Sequence, residues 1–549
     1  MRKLFLVLVT LNLCHLSFAQ NKEELIEIRR WEMEMVNAPS IEVIDLVTRM
    51  TRMPDATSEI INSVSIQNED SGCISVTLDT TAAEHYLKSG HSLFDRGKYS
   101  EALKEFYWAE RYYPYTSEVY IQQGKTLIFL RKYPKAREVL EKAQSIDAGS
   151  ARIQFYLGLA YSLEGDYQAA LEKYSRASEI FPDFPVVYFN RGIAYEKLHE
   201  PKKAIDDFSR SIDLQLDFLP AYLNRGNALA EIRSYQAAIN DYSAAITLDS
   251  SETRAYFNRA LSFYDDKNYQ AAIADYSTVL NFNQGDFKCY LLRGLAESED
   301  GDFQSAESDF NRFIRFNHNY EFAYFVRGMS RFQQSNYHGA IEDFTKAVQI
   351  DPDYAEAYFR RGLAFDALKK FQSAILDYSQ EVRLDPDQPE AWIRKAADHF
   401  KQLQYTEAVS CLDSALALAP DSLEILLKRG ISYHKMGKYS QAADDFSRVI
   451  ELDPEEASAY YQRGNAYFNI GKNELAIEDF SRVAELDPGF PYLYCVRALC
   501  YEKQGRTEEA QADWEKYSGK PTKTKNSTDN SSDDQTPPHG SGHGPPPGH

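Results

Sequence analysis

Arginine and aspartate recur together at a fixed spacing along this chain of 549 residues. An arginine guanidinium can hold a carboxylate through two parallel hydrogen bonds, so each pair could form a bidentate ion pair. Where the arginine is replaced, as by Lys395, the aspartate is replaced too, as by Cys411. This joint loss predicts a row of structural, non-catalytic pairs within the same stretch of chain. The pairs, sixteen residues apart, are Arg191 and Asp207, Arg225 and Asp241, Arg259 and Asp275, Arg293 and Asp309, Arg327 and Asp343, Arg361 and Asp377, Arg429 and Asp445, Arg463 and Asp479, and Arg497 and Asp513.

A second set of regularly spaced side chains could bind a peptide. Asn190, Asn224 and Asn258 follow one another at intervals of 34 residues. An amide both donates and accepts hydrogen bonds, so such a row could contact the backbone of an extended peptide without requiring a particular sequence. Polar side chains that are simply solvated are the alternative at this point.

Three basic side chains at the same interval, Arg360, Arg394 and Lys428, could attract an anion. A basic track in a chain of formal net charge −21 would favour an acidic peptide. A solvated charged face is the alternative. Phe359, directly before Arg360, and Phe325, 34 residues earlier, could anchor a partner or could pack between neighbouring repeats.

Side chains for catalysis or metal binding form no motif that we can recognise. Histidines outside the two chain ends are isolated, and neither a zinc-protease nor a hydrolase nucleophile motif is present. Gly124-Lys125-Thr126 resembles part of a phosphate loop, but Val119 stands where that motif needs a glycine. The acidic composition argues against nucleic acid as a partner. We expect no enzymatic activity, no cofactor and no bound metal.

The elements that position these side chains follow a period of 34 residues. An alanine occurs thirteen times at this interval, from Ala102 to Ala510, with no insertion or deletion. Such a period is typical of stacked repeats, each of which buries its apolar face against its neighbours. Residues 355–388 illustrate one repeat: two helical patterns, at about 355–368 and 371–384, precede Pro386, which cannot continue a helix.

Small residues also recur in the first helical pattern. Glycine occupies the eighth position of ten repeats, from Gly90 to Gly464. Glycine inside a helix costs about 1 kcal/mol relative to alanine. Its recurrence therefore predicts a close approach of two helices, with the regularly spaced alanine of the second helix as the opposite contact.

These repeats resemble the tetratricopeptide repeat (TPR). The resemblance implies an all-α fold, a right-handed α-solenoid of thirteen helix–turn–helix repeats over residues 83–518. It also implies that the first helices line a concave groove that binds a protein or peptide. Matching residues in the repeat at 151–184 are Gly158, Tyr161, Ala170, Tyr174, Ala177 and Pro182.

Two likenesses to particular TPR grooves follow from this resemblance. The asparagine row is similar to the one in the TPR superhelix of O-GlcNAc transferase, where amides hold a peptide backbone. Asn227, Asn258 and Lys288 fit three of the five positions of the carboxylate clamp in chaperone-binding members. Leu223 and Leu292 stand where the clamp has cations, which removes most of its charge-assisted contacts.

The ends of the chain do not match the repeat. Residues 1–19 have the basic start, short apolar stretch and small residues before a cleavage site that are typical of a secretory signal peptide. We therefore expect export to a periplasm or to the extracellular space. Residues 20–82 are predicted to cap the array, and the Pro-, Gly- and His-rich residues 519–549 to be disordered. No later segment is apolar enough to span a bilayer.

The sequence favours an exported protein–protein interaction scaffold that binds a peptide or partner protein in its groove. Two alternatives stay open: a structural assembly factor of a cell-envelope complex, and a non-catalytic accessory module of a glycan-modifying enzyme. The identity of the partner, the host and the oligomeric state do not follow from the residues.

Overall fold

A computed structural model describes residues 80–490 and 492–518, which form 26 α-helices and no strand. The predicted signal peptide and the predicted tail over residues 519–549 lie outside these described residues, as does the predicted cap over residues 20–82 except for its last three residues. The described part is therefore an all-α stack of helix–turn–helix repeats, an α-solenoid.

The chain divides into two compact units, Met1–Asp300 and Gly301–His549. In both, odd-numbered helices are the first helices of their repeats and even-numbered helices the second. The first unit contains α1 (Thr80–Asp95), α2 (Tyr99–Tyr112), α3 (Ser117–Phe129), α4 (Tyr133–Ile146), α5 (Ala151–Glu164), α6 (Tyr167–Ile180), α7 (Pro185–Lys197), α8 (Pro201–Leu214), α9 (Leu219–Glu231), α10 (Tyr235–Leu248), α11 (Thr253–Asp265), α12 (Tyr269–Phe282) and α13 (Phe287–Asp300).

The second unit continues the same alternation. It contains α14 (Phe303–Phe316), α15 (Glu321–Gln333), α16 (Tyr337–Ile350), α17 (Ala355–Ala367), α18 (Phe371–Leu384), α19 (Pro389–Lys401), α20 (Tyr405–Leu418), α21 (Leu423–Lys435), α22 (Tyr439–Leu452), α23 (Ala457–Asn469), α24 (Asn473–Leu486), α25 (Leu493–Lys503) and α26 (Thr507–Ser518).

The turn between the two helices of each repeat contains one residue in the left-handed region. Glycine fills this place in six repeats, for example Gly165 with φ 89° and Gly437 with φ 74°. Other residues adopt the same left-handed backbone conformation, among them Lys369 with φ 59° and Leu403 with φ 63°. Left-handed backbone at the end of a helix directs the chain sharply into the next helix, which explains the constant turn length.

In the core of each repeat, small residues pack against larger side chains, most of them aromatic. All thirteen regularly spaced alanines are buried, from Ala102 at 0% exposure to Ala510 at 3%. We expected the glycine at the eighth position to face this alanine, but it faces the side chain four residues further along the second helix. That side chain is Leu140 opposite Gly124 and an aromatic ring opposite the other glycines for which the contact is described. A Cβ added to Gly362 would lie 2.7 Å from the Tyr378 ring. A side chain larger than glycine would therefore clash with this ring.

The first helices of successive repeats contact each other within each unit. In the first unit α3 contacts α5, α5 contacts α7, α7 contacts α9 and α9 contacts α11; in the second, α15 contacts α17, α21 contacts α23 and α23 contacts α25. Successive second helices do not approach one another as closely within the described residues. We call the surface that the first helices of a unit form the first-helix face.

Candidate functional site

The arginine and aspartate side chains lie within the same repeat. In the pair formed by α17 and α18, Arg361 donates from Nε to Asp377 Oδ2 at 2.8 Å and from Nη2 to Oδ1 at 2.7 Å. This is the bidentate geometry in which a guanidinium and a carboxylate bind best. The same pairing is present between Arg191 and Asp207, Arg225 and Asp241, Arg259 and Asp275, Arg327 and Asp343, Arg429 and Asp445, Arg463 and Asp479, and Arg497 and Asp513.

Each of these arginines also has a third contact, which we did not foresee from the sequence. Arg361 Nη1 donates to Thr345 Oγ1 of the preceding repeat at 3.1 Å, and Arg225 Nη1 donates to Ser209 Oγ at 3.0 Å. The arginine thus ties its own repeat to the one before. The sequence does contain a signal for this contact, because a short polar residue follows eight of the nine aspartates by two positions. These residues are Ser209, Ser243, Ser277, Asn311, Thr345, Ser379, Ser447 and Ser481.

Burial raises the pKa of the aspartate in five of these pairs. Desolvation raises the pKa of Asp377 above its ordinary value, although the hydrogen bond and charge of Arg361 act in the opposite direction. The carboxylate is therefore not held in place by a large net electrostatic gain. The pairs fix the geometry of the repeats, and their catalytic use is not suggested by any neighbouring group.

Two asparagines and a tyrosine of the first unit form a hydrogen-bonded network, which we call the amide network. Asn227 Oδ1 accepts a hydrogen bond from the Tyr242 hydroxyl at 2.8 Å and another from Asn258 Nδ2 at 2.8 Å. Asn190 is also buried, and its Nδ2 donates to the Val186 carbonyl one turn earlier at 2.8 Å. The structure therefore joins Asn227 to Asn258 and directs the Asn190 amide into its own helix. Asn190 does not extend the row as a peptide contact in this arrangement.

Asn224 differs from these three. It lies half-buried on α9, and its side chain makes no hydrogen bond to any described residue. Lys288, on α13, is also half-buried. Leu223 and Leu292, which replace two cations of the clamp pattern, are core residues at 4% and 3% exposure. The polar atoms that this face offers in repeats five and six are thus mainly the amides of Asn224 and Asn258.

The basic track of the second unit is neutralised along its length. Arg394 Nε donates to Glu390 Oε1 at 2.7 Å, and Lys428 Nζ pairs with Glu424 Oε1 at 2.8 Å. Arg360 is buried and pairs with Glu356 at 2.6 Å. In each helix the glutamate precedes the cation by four residues, so both lie on one helix side. Our expectation of a purely basic track is corrected to a row of mixed charge.

The two phenylalanines proposed as anchors lie in the core. The Phe325 ring is 2% exposed and packs 5.0 Å from the Tyr354 ring. The Phe359 ring, 8% exposed, packs 5.8 Å from the Tyr378 ring. Neither ring can reach a partner without leaving its own repeat. The alternative that these positions pack within the stack describes them better than an anchoring role.

Repeats nine and ten also contain buried acids. Glu381 stands where most repeats have alanine or valine, and burial raises its pKa to about 8, with Asp385 and Glu356 adding to the effect. Its Oε2 has no hydrogen-bond partner. Asp398 shares Lys401 with Asp366, with Nζ–O distances of 2.9 and 2.6 Å, and burial raises its pKa to about 6.

Other chemistry in the described residues is sparse. No group of three or more His, Cys, Asp or Glu side chains is placed to hold a metal within residues 80–490 and 492–518. No two cysteines form a disulfide within these ranges, and Cys289, Cys411 and Cys500 are buried. In the same ranges no helix is both long and apolar enough to cross a membrane.

Comparison with family models identifies the repeat. Models described as TPR repeat match residues 162–198, 328–369 and 432–471. Models described as tetratricopeptide repeat match residues 117–149, 189–252, 223–286, 355–388 and 457–490. The chain belongs to the tetratricopeptide repeat family. Its TPR array is therefore a protein-interaction scaffold, of a fold that is typically non-catalytic.

Several solved structures are similar to parts of this chain. YrrB, described as a TPR protein with an unusual peptide-binding site, is 21% identical with TM-score 0.31, over 34% of this chain and 95% of that one. Pseudomonas aeruginosa PilF is 18% identical with TM-score 0.36, over 40% and 98%. The APC/C hetero-tetramer Cut9–Hcn1 contains a chain 14% identical with TM-score 0.28, over 81% and 96%. No curated protein matches the sequence.

Proposed function

We propose that this TPR protein is an exported scaffold that binds an extended peptide, or an extended segment of a partner protein, on the first-helix face of its first unit. The supporting observation is the amide pair of repeats five and six. Tyr242 and Asn258 both donate to Asn227 Oδ1, which fixes the Asn258 side chain, and Asn224 lies one repeat earlier with its amide uncommitted. Preorganised amides lower the entropic cost of binding a flexible segment.

The second unit is less suited to the acidic peptide that the sequence suggested. Each of its three cations, which occupy the same position in successive repeats, pairs with a glutamate one helical turn away. An incoming carboxylate would therefore be attracted by the cation and repelled by the glutamate. Like charges placed against each other oppose binding. The first unit is therefore the better site for a peptide of modest charge.

Peptide selection on the purified full chain tests this proposal. A displayed library of random twelve-residue peptides is selected on wild type, on Asn224→Ala/Asn258→Ala and on Asn240→Ala, an exposed asparagine of the second helix α10. The proposal expects wild type and Asn240→Ala to retain the same peptides and the double variant to lose them by at least roughly tenfold in affinity, or about 1.4 kcal/mol. Equal binding by all three proteins would refute the proposal.

Export is tested separately, because the predicted signal peptide does not depend on the groove. Expression of the full sequence in a Gram-negative host, followed by fractionation and amino-terminal sequencing, should give a mature chain that begins at Gln20 in the periplasm. An uncleaved chain retained in the cytoplasm would contradict export and leave peptide binding untouched.

A further inference from the structure

A single carboxylate on α7 has no ion-pair partner among the described residues. Glu196 lies near the end of α7, on the first helix of the repeat before Asn224. It is half-buried, and it forms no ion pair or hydrogen bond with any residue in the described ranges. A carboxylate that loses water without gaining a partner is unfavourable, so its position is better explained by a ligand than by stability.

The neighbours of Glu196 come from three elements. Burial raises its pKa to about 8, the charge of Glu231 on α9 acts in the same direction, and Lys197 on its own helix acts in the opposite one. The charge of Glu196 in turn contributes to the raised pKa of Tyr242 on α10, the same hydroxyl that donates to Asn227. The carboxylate therefore lies in an acidic local field, and its charge acts on the tyrosine hydroxyl that donates to Asn227.

Resting on the function proposed above, we infer that Glu196 is the subsite for a cationic side chain, so that the first-helix face of repeats four to six selects an extended segment carrying a lysine or arginine. A cation in this place gains a charge-assisted hydrogen bond to a partly desolvated carboxylate. Amides of Asn224 and Asn258 contact the backbone of the same segment. Charge complementarity with Glu196 and Glu231 favours this occupant over an acidic peptide.

Binding of a cation should also move a proton. Because Glu196 is largely protonated at pH 7 when its pKa is about 8, and because a bound cation favours the ionised form, binding at pH 7 releases a proton from the carboxyl group to the buffer. A carboxylate with only a structural role would release none on peptide binding.

The test compares three full-length proteins. Glu196→Gln keeps the shape of the side chain and removes its charge, whereas Asp206→Asn removes one charge from the exposed face of the second helix α8 in the same repeat. Peptides selected on wild type are resynthesised with each lysine or arginine replaced by norleucine. Affinities are measured by calorimetry at pH 7 in buffers of different ionisation enthalpy.

The inference expects wild type and Asp206→Asn to prefer the cationic peptide by roughly tenfold, about 1.4 kcal/mol, and to release up to about one proton per peptide bound. Glu196→Gln should lose both the preference and the proton release while still binding the norleucine peptide. Three results would each overturn this inference and leave the proposed function intact. They are a cationic preference that survives in Glu196→Gln, selection of acidic peptides, and binding without proton release. Failure of wild type to select any peptide overturns both this inference and the proposed function.

Discussion

At the scale of single residues, the chain uses charge mainly to fix how repeats stack. Eight arginines of the Arg–Asp row each hold an aspartate of their own repeat and, in most cases, a short polar side chain of the preceding one. Burial raises the pKa of Asp377 although Arg361 acts to lower it. The desolvation cost of the pair therefore offsets much of its electrostatic gain. We conclude that its value lies in geometry, a role that buried ion pairs have in some other proteins.

Removing only the arginine of one pair should therefore destabilise the protein more than replacing both partners with apolar residues. Arg361→Met leaves Asp377 buried without its cation and should lower the free energy of unfolding by roughly 3 kcal/mol. Arg361→Met/Asp377→Leu should recover most of that loss, because an apolar pair leaves no unpaired charge. Urea unfolding followed by circular dichroism measures both. A double variant as unstable as the single one would contradict this account.

Glu381 gives a prediction that depends on pH. Its pKa lies at about 8 in the folded chain against an ordinary value of 4.5, so the folded state binds the proton more tightly than the unfolded state does. The wild type therefore loses stability as pH rises from about 4.5 to about 8. Glu381→Gln removes this loss and should be more stable at pH 8 by roughly 2 kcal/mol.

The control for Glu381 is the same comparison near pH 4.5. There both proteins carry a neutral side chain, so their urea midpoints should nearly coincide. Glu407 is exposed on the second helix of the next repeat, so Glu407→Gln should leave the urea midpoint unchanged at both pH values. A stabilisation by Glu381→Gln that is equal at both pH values would rule out titration of this carboxyl group as its cause.

At the scale of elements, constant repeat length follows from the left-handed turn residue. A non-glycine side chain there meets its own backbone, at a cost of about 1–2 kcal/mol per residue. Leu403, with φ 63°, is 71% exposed, so its side chain gains little packing in return. Local backbone strain, and not contact with neighbours, decides the preference at this position.

Exchanging residues at equivalent turns should have opposite effects. Leu403→Gly should stabilise the second unit by several tenths of a kcal/mol to about 1 kcal/mol, after the greater freedom of glycine in the unfolded chain is counted. Gly437→Leu, one repeat later with φ 74°, should destabilise it by a similar amount. Thermal unfolding measures both, and the same sign for the two variants would refute the explanation.

Much of the element structure could be predicted because it repeats. The alternating helices follow from the 34-residue period, and the partners of the ion pairs have a sequence signal in their joint presence or absence. The environment of side chains that do not follow the repeat pattern could not be predicted so well. Whether Phe325 is core or surface depends on the neighbouring helix, and the neutralisation of Arg394 depends on a rotamer that reaches Glu390.

At the scale of the whole molecule, two stacks of TPR repeats each offer a first-helix face, with different chemistry. In the first unit this face has open amides and the unpaired Glu196. In the second it has paired charges in successive helices. A chain of net charge −21 that bears an unpaired acid next to an amide row is suited to attract a basic segment through long-range electrostatics.

Site-specific photocrosslinking in cells tests the central claim most directly. A photoreactive amino acid replaces Asn224 on the first-helix face of the full chain, or Asn240 on the second helix of the same repeat. We predict a discrete crosslinked partner at position 224 that is absent at position 240 and is lost when Asn258→Ala and Glu196→Gln are added. Crosslinking only from position 240, or at both positions regardless of the added substitutions, would contradict binding on the first-helix face.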